Sequence, residues 1–368
     1  MAPAPTLRDQ QGKMLMKSNP LRLLVALLAL ILSACDTPTP IPPLQDGPTP
    51  APPSNWYSLY FTDPGASDYF EGGPDEALAA AIDAARLSVE VAAHELDLDS
   101  VADALLRAHQ RGVAVRLVLE SNYLDEKATH KLIAADIPWR DDQRDGLMHN
   151  KFVVIDRLEV WTGSMNFTSN GAYRNNNNLI RIRSSKLAEN YLTEFNEMFE
   201  EDLFGPDKRA NTPSPSLTIS GTAVETYFSP DDGVARHLLD LVDGARQSIC
   251  FLAFSFTSDD LGEALLAAHQ DGVTVSGVFE TSQVKSNGQY SEYDTLRTAG
   301  LDVWLDANPR NMHHKVFVID QQVVWTGSYN FSTNAEKTND ENVLVIHNAE
   351  IATLYQAECK KLVTLAQK

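Results

Sequence analysis

The sequence predicts an α/β protein built from two similar halves, packed face to face about a pseudo-twofold axis, with one composite site at their interface. Three observations carry this. The stretch MHNKFVVIDRLEVWTGSMNFT, from Met148 to Thr168, occurs again as MHHKVFVIDQQVVWTGSYNFS, from Met312 to Ser332. Upstream, ARLSVEVAAHELDLDSVADALLRAHQRGVAVRLVLE from Ala85 is replayed by ARQSICFLAFSFTSDDLGEALLAAHQDGVTVSGVFE from Ala245. Within each copy, short apolar strands alternate with amphipathic helices, the pattern of a layered α/β structure. A repeat of this length is a duplication, since solenoid periods run about 20 to 50 residues.

Taken in order, the chain opens with Lys17 and Arg22 ahead of an apolar run from Leu23 to Leu32, closed by Ser33 and Ala34 before Cys35. That is a signal peptide over residues 1–35, and the run is shorter than the ~20 apolar residues of a membrane span. The tetrapeptide Leu32-Ser33-Ala34-Cys35 resembles the bacterial lipobox. It implies acylation of Cys35, and so an extracytoplasmic lipoprotein anchored in the cell envelope. A plain secretory signal explains the small residues but leaves the cysteine incidental. Residues 36–55 are dense in proline, which disfavours helix and sheet and gives an extended tether.

The first half, residues 56–205, reads as follows. A β-prone run covers Trp56 to Thr62, and an amphipathic helix starts at Asp75. A strand starts at Ser88, a helix runs from Ser100 to Gly112, and a strand from Val113 to Glu120. After the motif come a strand from Asn177 and the closing helix KLAENYLTEFNEMFEEDLF. Residues 206–222, rich in Pro and Ser, form the expected linker, and residues 223–368 the second half. No obligate protein partner is expected, because the duplication makes a pseudo-dimer within one chain.

Composition limits the function classes. The 368 residues suffice for one domain of two halves. A net charge of −20 repels phosphate backbones, which disfavours a nucleic-acid partner unless a local cleft is positive. Cys35, Cys250 and Cys359 are the only cysteines, so neither a disulfide scaffold nor a cysteine metal site is framed, and Cys250 in SICFLAF reads as a buried core residue.

The shared skeleton is H-x-K-x4-D-x6-G-S-x-N. His149, Lys151, Asp156, Gly163, Ser164 and Asn166 answer to His313, Lys315, Asp320, Gly327, Ser328 and Asn330. Histidine and lysine two positions apart on a strand point the same way, and the aspartate lies at the strand's far end. The G-S-x-N turn is expected to bring an amide, a hydroxyl and glycine-freed backbone N–H groups to the site. Two ammonium groups and two amides suit a phosphoryl group. One neutral imidazole can attack phosphorus while the opposing imidazolium protonates the leaving oxygen. No carboxylate cluster suited to Mg²⁺ accompanies the motif, so neither a metal nor a cofactor is expected.

On these residues the chain resembles the phospholipase D superfamily, whose hallmark is the paired HKD motif; the resemblance runs from about Trp56 to the C-terminus. It implies a covalent phosphohistidine on one histidine, with the other as acid and base, and His149 as the preferred nucleophile. It also implies that Lys151, Lys315, Asn166 and Asn330 bind phosphate oxygens, with Ser164 and Ser328 as further donors. Asp156 and Asp320 complete the catalytic motif by type, although a structural role suits them better. Glu341, in NDENVLVI, resembles the family's histidine-orienting acid, whereas the first copy has Asn177 at that place. Asparagine fixes a tautomer but does not stabilise an imidazolium as a carboxylate does, so the two histidines should differ in pKa. Whether Glu341 serves His313 or crosses to His149 stays open. Glu120 and Glu280, at matching strand ends, either face the site or close a strand. His94, Glu95 and the other histidines lack such a partner set.

The expected activity is phospholipid hydrolysis, with the substrate a phospholipid or another phosphodiester. A nonspecific endonuclease, a cardiolipin synthase-like phosphatidyltransferase and a non-enzymatic tethered domain are the alternatives. Acidity and the anchor weigh against the nuclease.

Overall fold

The computed structural model describes residues 56–64 and 70–368. The signal run, Cys35 and the proline-rich stretch lie outside the described residues.

The first half contains β1 (Tyr57–Phe61), α1 (Pro74–Ala84), β2 (Ser88–Ala93), α2 (Asp99–Gln110), β3 (Ala114–Leu119), α3 (Lys127–Ile133) and β4 (Trp139–Asp141), followed by β5 (Lys151–Ile155), β6 (Glu159–Gly163), α4 (Ser169–Tyr173), β7 (Asn178–Arg183) and α5 (Ser185–Glu201). The second half contains β8 (Ser216–Ile219), β9 (Thr222–Ser229), α6 (Val234–Gly244), β10 (Ser248–Ala253), α7 (Asp259–Gln270), β11 (Thr274–Phe279) and α8 (Thr281–Asn287). It continues with α9 (Tyr293–Thr298), β12 (Asp302–Leu305), β13 (Lys315–Ile319), β14 (Val323–Gly327), α10 (Thr333–Lys337), β15 (Glu341–His347) and α11 (Ala349–Ala366). The elements expected from the sequence are present. The short α3 and β4 were not anticipated, and β8 lies inside the stretch expected to be linker.

Each half folds around one mixed sheet. The strand order is β1-β7-β6-β5-β2-β3-β4 in the first and β12-β11-β10-β13-β14-β15-β9-β8 in the second, the same order apart from the extra edge strand β8. The motif strands β5 and β13 are therefore central. β5 pairs antiparallel with β2, setting Lys151 opposite Ala93, and β13 pairs with β10, setting Lys315 opposite Ala253.

Strand alternation divides the core into three layers. Val153 and Ile155 of β5 face an outer core with residues of α1 and α2, and Phe317 and Ile319 of β13 do the same over α6 and α7. Phe152, Val154, Val316 and Val318 face the opposite way, into one shared core that includes Tyr191 of α5 and Tyr355 of α11. The closing helices thus fill the space between the sheets. Each starts at a side-chain cap, Ser184 accepting from Leu187 N–H at 3.3 Å and Asn348 from Ile351 N–H at 3.0 Å. Cys250 is indeed buried, but it forms a disulfide with Cys359 of α11, which corrects the reading of it as a plain core thiol. The bond fastens α11 to the inner face of β10.

A polar seam crosses the shared core. Asn178, fully buried, accepts from Thr326 Oγ at 2.9 Å and Tyr355 OH at 3.1 Å, both of the second half. Its counterpart Asn342 accepts from Thr162 Oγ at 2.6 Å and Tyr191 OH at 3.3 Å, both of the first, and donates to Asn150 at 2.9 Å. Unmet buried amides are costly, so only one relative placement of the halves satisfies both asparagines.

The expected linker holds a second fastening. Lys208 is fully buried against Glu194, with Asp340 at 3.7 Å and Asp231 at 3.8 Å. Burial by itself lowers an ammonium pKa, but Glu194, Asp340 and Asp231 outweigh it and hold Lys208 above its ordinary value. Replacing Lys208 with Met should cost roughly 3–5 kcal/mol of stability, because it strands carboxylates in the core. Unpaired buried carboxyls take up protons on folding, so the loss should be larger at pH 8 than at pH 5. Urea denaturation at the two pH values measures this; a variant as stable as the parent at pH 8 would show the cluster to be energetically idle.

Candidate active site

Each motif histidine is placed by a backbone exchange with the opposite half. His149 N–H donates to Asp340 O at 3.0 Å, and Asp340 N–H returns a bond to Leu147 O at 2.9 Å. In the mirror arrangement His313 N–H donates to Asn176 O at 2.9 Å and Asn176 N–H to Asn311 O at 2.9 Å. These bridges set the next residue, Glu341 or Asn177, beside the imidazole of the other half.

His149 Nδ1 lies 2.7 Å from Glu341 Oε2, and His313 Nδ1 lies 3.0 Å from both Asn177 Oδ1 and Ser164 O. The orienting groups therefore cross between halves, which resolves the pairing that the sequence left open. Burial raises the Glu341 carboxyl. Yet Ser328 Oγ donates to it at 2.6 Å and Asn339 Nδ2 at 3.3 Å, and with those donors converging it serves as a carboxylate accepting Nδ1–H. Burial, and then the Lys151 charge, holds the His149 imidazole well below its ordinary pKa. Burial and then Lys315 do the same to His313. With Nδ1–H committed on both rings, each Nε2 is left with its lone pair for chemistry.

Lys151 and Lys315 are almost wholly buried, and each donates to the carbonyl of its own motif histidine, at 2.7 and 2.9 Å. No carboxylate pairs with either ammonium among the described residues, which leaves each with two free donors. Burial lowers Lys151 to about 8, and burial together with Lys151 lowers Lys315 well below its ordinary value. Two buried, unpaired ammonium groups form a preorganised anion cradle. Asn166 borders it through Glu95, and Asn166 and Asn330 each have a buried Oδ1 lacking a partner among the described residues.

Four expected donors and carboxylates have other duties. Ser164 Oγ donates to Asn177 Oδ1 at 2.8 Å and accepts from Asn178 N–H at 3.1 Å; Ser328 Oγ donates to Glu341 and accepts from Asn342 N–H at 3.0 Å. With their single protons committed, both serines hold the orienting residues instead of contacting phosphate. Asp156 accepts from the N–H groups of Arg86, Leu87 and Ser88 at 2.7 to 3.2 Å, and Asp320 from those of Arg246, Gln247 and Ser248 at 2.7 to 2.9 Å. These motif aspartates staple a loop at the far end of the strand and take no part in the chemistry. The N–H groups that directly follow the motif glycines are committed to the backbone, Ser164 and Ser328 N–H bonding to Asn178 O and Asn342 O. Gly163, at φ 151°, is needed because a Cβ there would lie 2.3 Å from Asn178 O; at Gly327 the distance to Asn342 O would be 2.1 Å.

Of the matched pair Glu120 and Glu280, Glu120 supports the site: its Oε2 accepts Met148 N–H at 2.8 Å. Glu280 caps α8 by accepting from Gln283 N–H at 2.6 Å. His94 and Glu95, set aside in the sequence, lie at the site. The His94 ring packs 4.5 Å from that of His149, and Glu95 Oε1 accepts from Asn166 Nδ2 at 2.7 Å. Their signal was present as a break in the repeat, where Phe254 and Ser255 stand in the second copy.

Residues 78–199 and 238–363 match the family described as "Cardiolipin synthase, PLD-like domain". A phospholipase D of Rickettsia bellii is 35% identical over 160 residues, covering 42% of this chain and 79% of that protein. The human mitochondrial cardiolipin hydrolase is 38% identical over 131 residues, 36% of this chain and 51% of that protein. Among solved structures, phosphatidylserine synthase of Haemophilus influenzae superposes with a TM-score of 0.64 at 14% identity, covering 83% of this chain and 86% of that one, a likeness of fold.

The pKa of Lys151 fixes a pH limit. Its ammonium is present below about 8 and lost above it, so anion binding should weaken and KM rise as pH climbs through about 8. A KM flat to pH 10 would remove Lys151 from the cradle. Glu341→Gln keeps an acceptor near His149 but removes the charge that stabilises its imidazolium, and should lower kcat about a hundredfold. Steady-state kinetics of the variant test this, and a loss below threefold would relegate Glu341 to fixing the ring.

Proposed function

The chain belongs to the phospholipase D superfamily and is a phosphodiesterase of that type. On this premise we propose that it hydrolyses phospholipids at the headgroup phosphodiester, through a covalent phosphohistidine on His149. The observation that carries the reading is the crossed constellation: two neutral imidazoles, each held at Nδ1 by the other half, over two buried and unpaired ammonium groups. The phosphate displaces nothing from its own partners when it enters, because the free lysine donors have none.

In the first step His149 Nε2 attacks phosphorus, the bond to the leaving alcohol breaks, and His313 Nε2–H delivers its proton to the departing oxygen. The arriving phosphate's negative charge favours the imidazolium that burial otherwise resists. In the second step neutral His313 takes a proton from water, the water oxygen bonds to phosphorus, and the His149–phosphorus bond breaks. The asymmetry supports this division. Glu341 stabilises the positive ring of a phosphohistidine at His149, whereas the neutral partners of His313 leave its imidazolium the stronger acid. Lys151, Lys315, Asn166 and Asn330 bind the phosphate oxygens. Acylation of Cys35 places the enzyme on the extracytoplasmic side of the cell envelope, beside its substrate. The Cys250–Cys359 disulfide is in keeping with such an oxidising compartment.

The full chain should release headgroup from phosphatidylcholine or cardiolipin vesicles in EDTA and leave single-stranded DNA intact; DNA cleavage without lipid turnover would favour the endonuclease. A p-nitrophenyl diester, whose leaving group needs no proton, separates the histidines. His313→Ala should give a burst of about one p-nitrophenol per protein and accumulate the adduct, whereas His149→Ala should give none. The opposite pattern would exchange the two roles.

A further inference from the structure

The two copies part company at one place bordering the cradle. Backbone bonds establish the correspondence: His94 N–H donates to Asn150 O at 3.1 Å and Phe254 N–H to His314 O at 2.9 Å. Likewise Phe167 N–H donates to Glu95 O, and Phe331 N–H to Ser255 O, both at 3.1 Å. At these matched positions His94 and Phe254 do the same work, each packing its ring 4.5 Å from a motif histidine. Glu95 and Ser255 do not.

The Glu95 side chain is 25% exposed in an otherwise buried site. It accepts from Asn166 Nδ2 at 2.7 Å, lies 3.4 Å from His94 Nδ1, and interacts electrostatically with both Lys151 and Lys315. Burial raises its carboxyl, but His94, and after it Lys151 and Lys315, outweigh this and hold it below the ordinary range, so it is an anion. Ser255 is neutral, and its hydroxyl accepts from Asn287 Nδ2 at 3.5 Å. Of the carboxylates that act on the two lysines, Glu341 orients His149 and Glu120 and Glu280 are matched between the halves, so Glu95 is the one that neither orients a histidine nor has an acidic counterpart. Asn166 is fixed by that carboxylate, and its Oδ1 remains buried and unpartnered among the described residues.

A fixed negative charge beside a phosphate site discriminates by ligand charge, since Coulomb repulsion scales with the product of charges. A phosphodiester carries one negative charge at every working pH. A phosphomonoester carries nearly two above its second pKa, about 6. We propose that Glu95 is a specificity-determining residue that lets the cradle hold a monoanionic phosphodiester and repels dianionic phosphomonoesters, including the monoester product of hydrolysis. This rests on the phosphodiesterase reading of the site. Glu95 would then promote product release, while its bond to Asn166 keeps that amide aimed at the substrate.

Inorganic phosphate is the probe, with binding to the full-length protein read as a thermal-unfolding shift and as inhibition of a soluble diester at pH 6.0 and 7.5. Glu95→Gln retains an acceptor for Asn166 and removes only the charge. It should tighten phosphate binding about tenfold or more at pH 7.5 and less at pH 6.0, with a smaller gain in KM for the monoanionic diester. Ser255→Glu should weaken phosphate binding by a similar factor. Equal shifts for phosphate and diester at both pH values, or no shift in either variant, would overturn the proposal and leave Glu95 a mere support for Asn166. Phosphate binding with this charge dependence in a protein that turns over no diester supports the charge selectivity and sinks the phosphodiesterase reading instead.

Discussion

Everything at this site depends on the reciprocal exchange across the seam between halves. The backbone bonds from His149 to Asp340 and from His313 to Asn176 cross the seam in mirror fashion. They deliver Glu341 and Asn177 to the imidazoles they orient. Behind them, Asn178 and Asn342 each sit fully buried with partners from the other half. A shift of one residue along this seam would leave buried amides unmet and separate both histidines from their acceptors. Packing, polar satisfaction and catalytic geometry thus demand the same placement.

The frame is nearly symmetric, and the chemistry is not. The same strand end carries a carboxylate for one imidazole and an amide for the other. The strand next to the motif ends in a carboxylate in one half and a hydroxyl in the other. This inequality suits the proposed double displacement, in which one histidine carries a positive phosphorylated ring while the other gives up a proton. Duplication supplied two equal frames, and a few substitutions at their ends suffice to separate the roles.

Buried charge is concentrated at the site and just behind it. Lys151 and Lys315 are unpaired and poised for an anion, whereas Lys208 is surrounded by Glu194, Asp231 and Asp340. Asp340 links the two regions: its carbonyl accepts from His149 N–H, and its carboxylate takes Arg144 at 2.8 Å and Gly205 N–H at 2.7 Å. The paired cluster holds the segment in front of Glu341 rigid. The unpaired cluster is preorganised at a cost in stability that the three-layer core and the Cys250–Cys359 bond offset.

The sequence by itself determined the duplication, the α/β layering, the strands that carry the motif and the inventory of reacting groups. These rest on periodicity and on spacing within single strands, which are local. It also exposed the inequality of Asn177 and Glu341, because the copies can be aligned without knowing how they pack. Local pattern does not say where a side chain's second partner lies. Ser164 and Ser328, read as phosphate donors, spend their protons on residues 13 positions onward. His94 and Glu95 join the site only because β2 lies beside β5 in the sheet, and Lys208, in a stretch read as linker, is buried among three carboxylates. Cys250 finds Cys359 109 residues away. Which histidine Glu341 serves was decided by the crossing of the two halves alone, since both pairings satisfy the same sequence and only one buries Asn178 and Asn342 with their hydrogen bonds made.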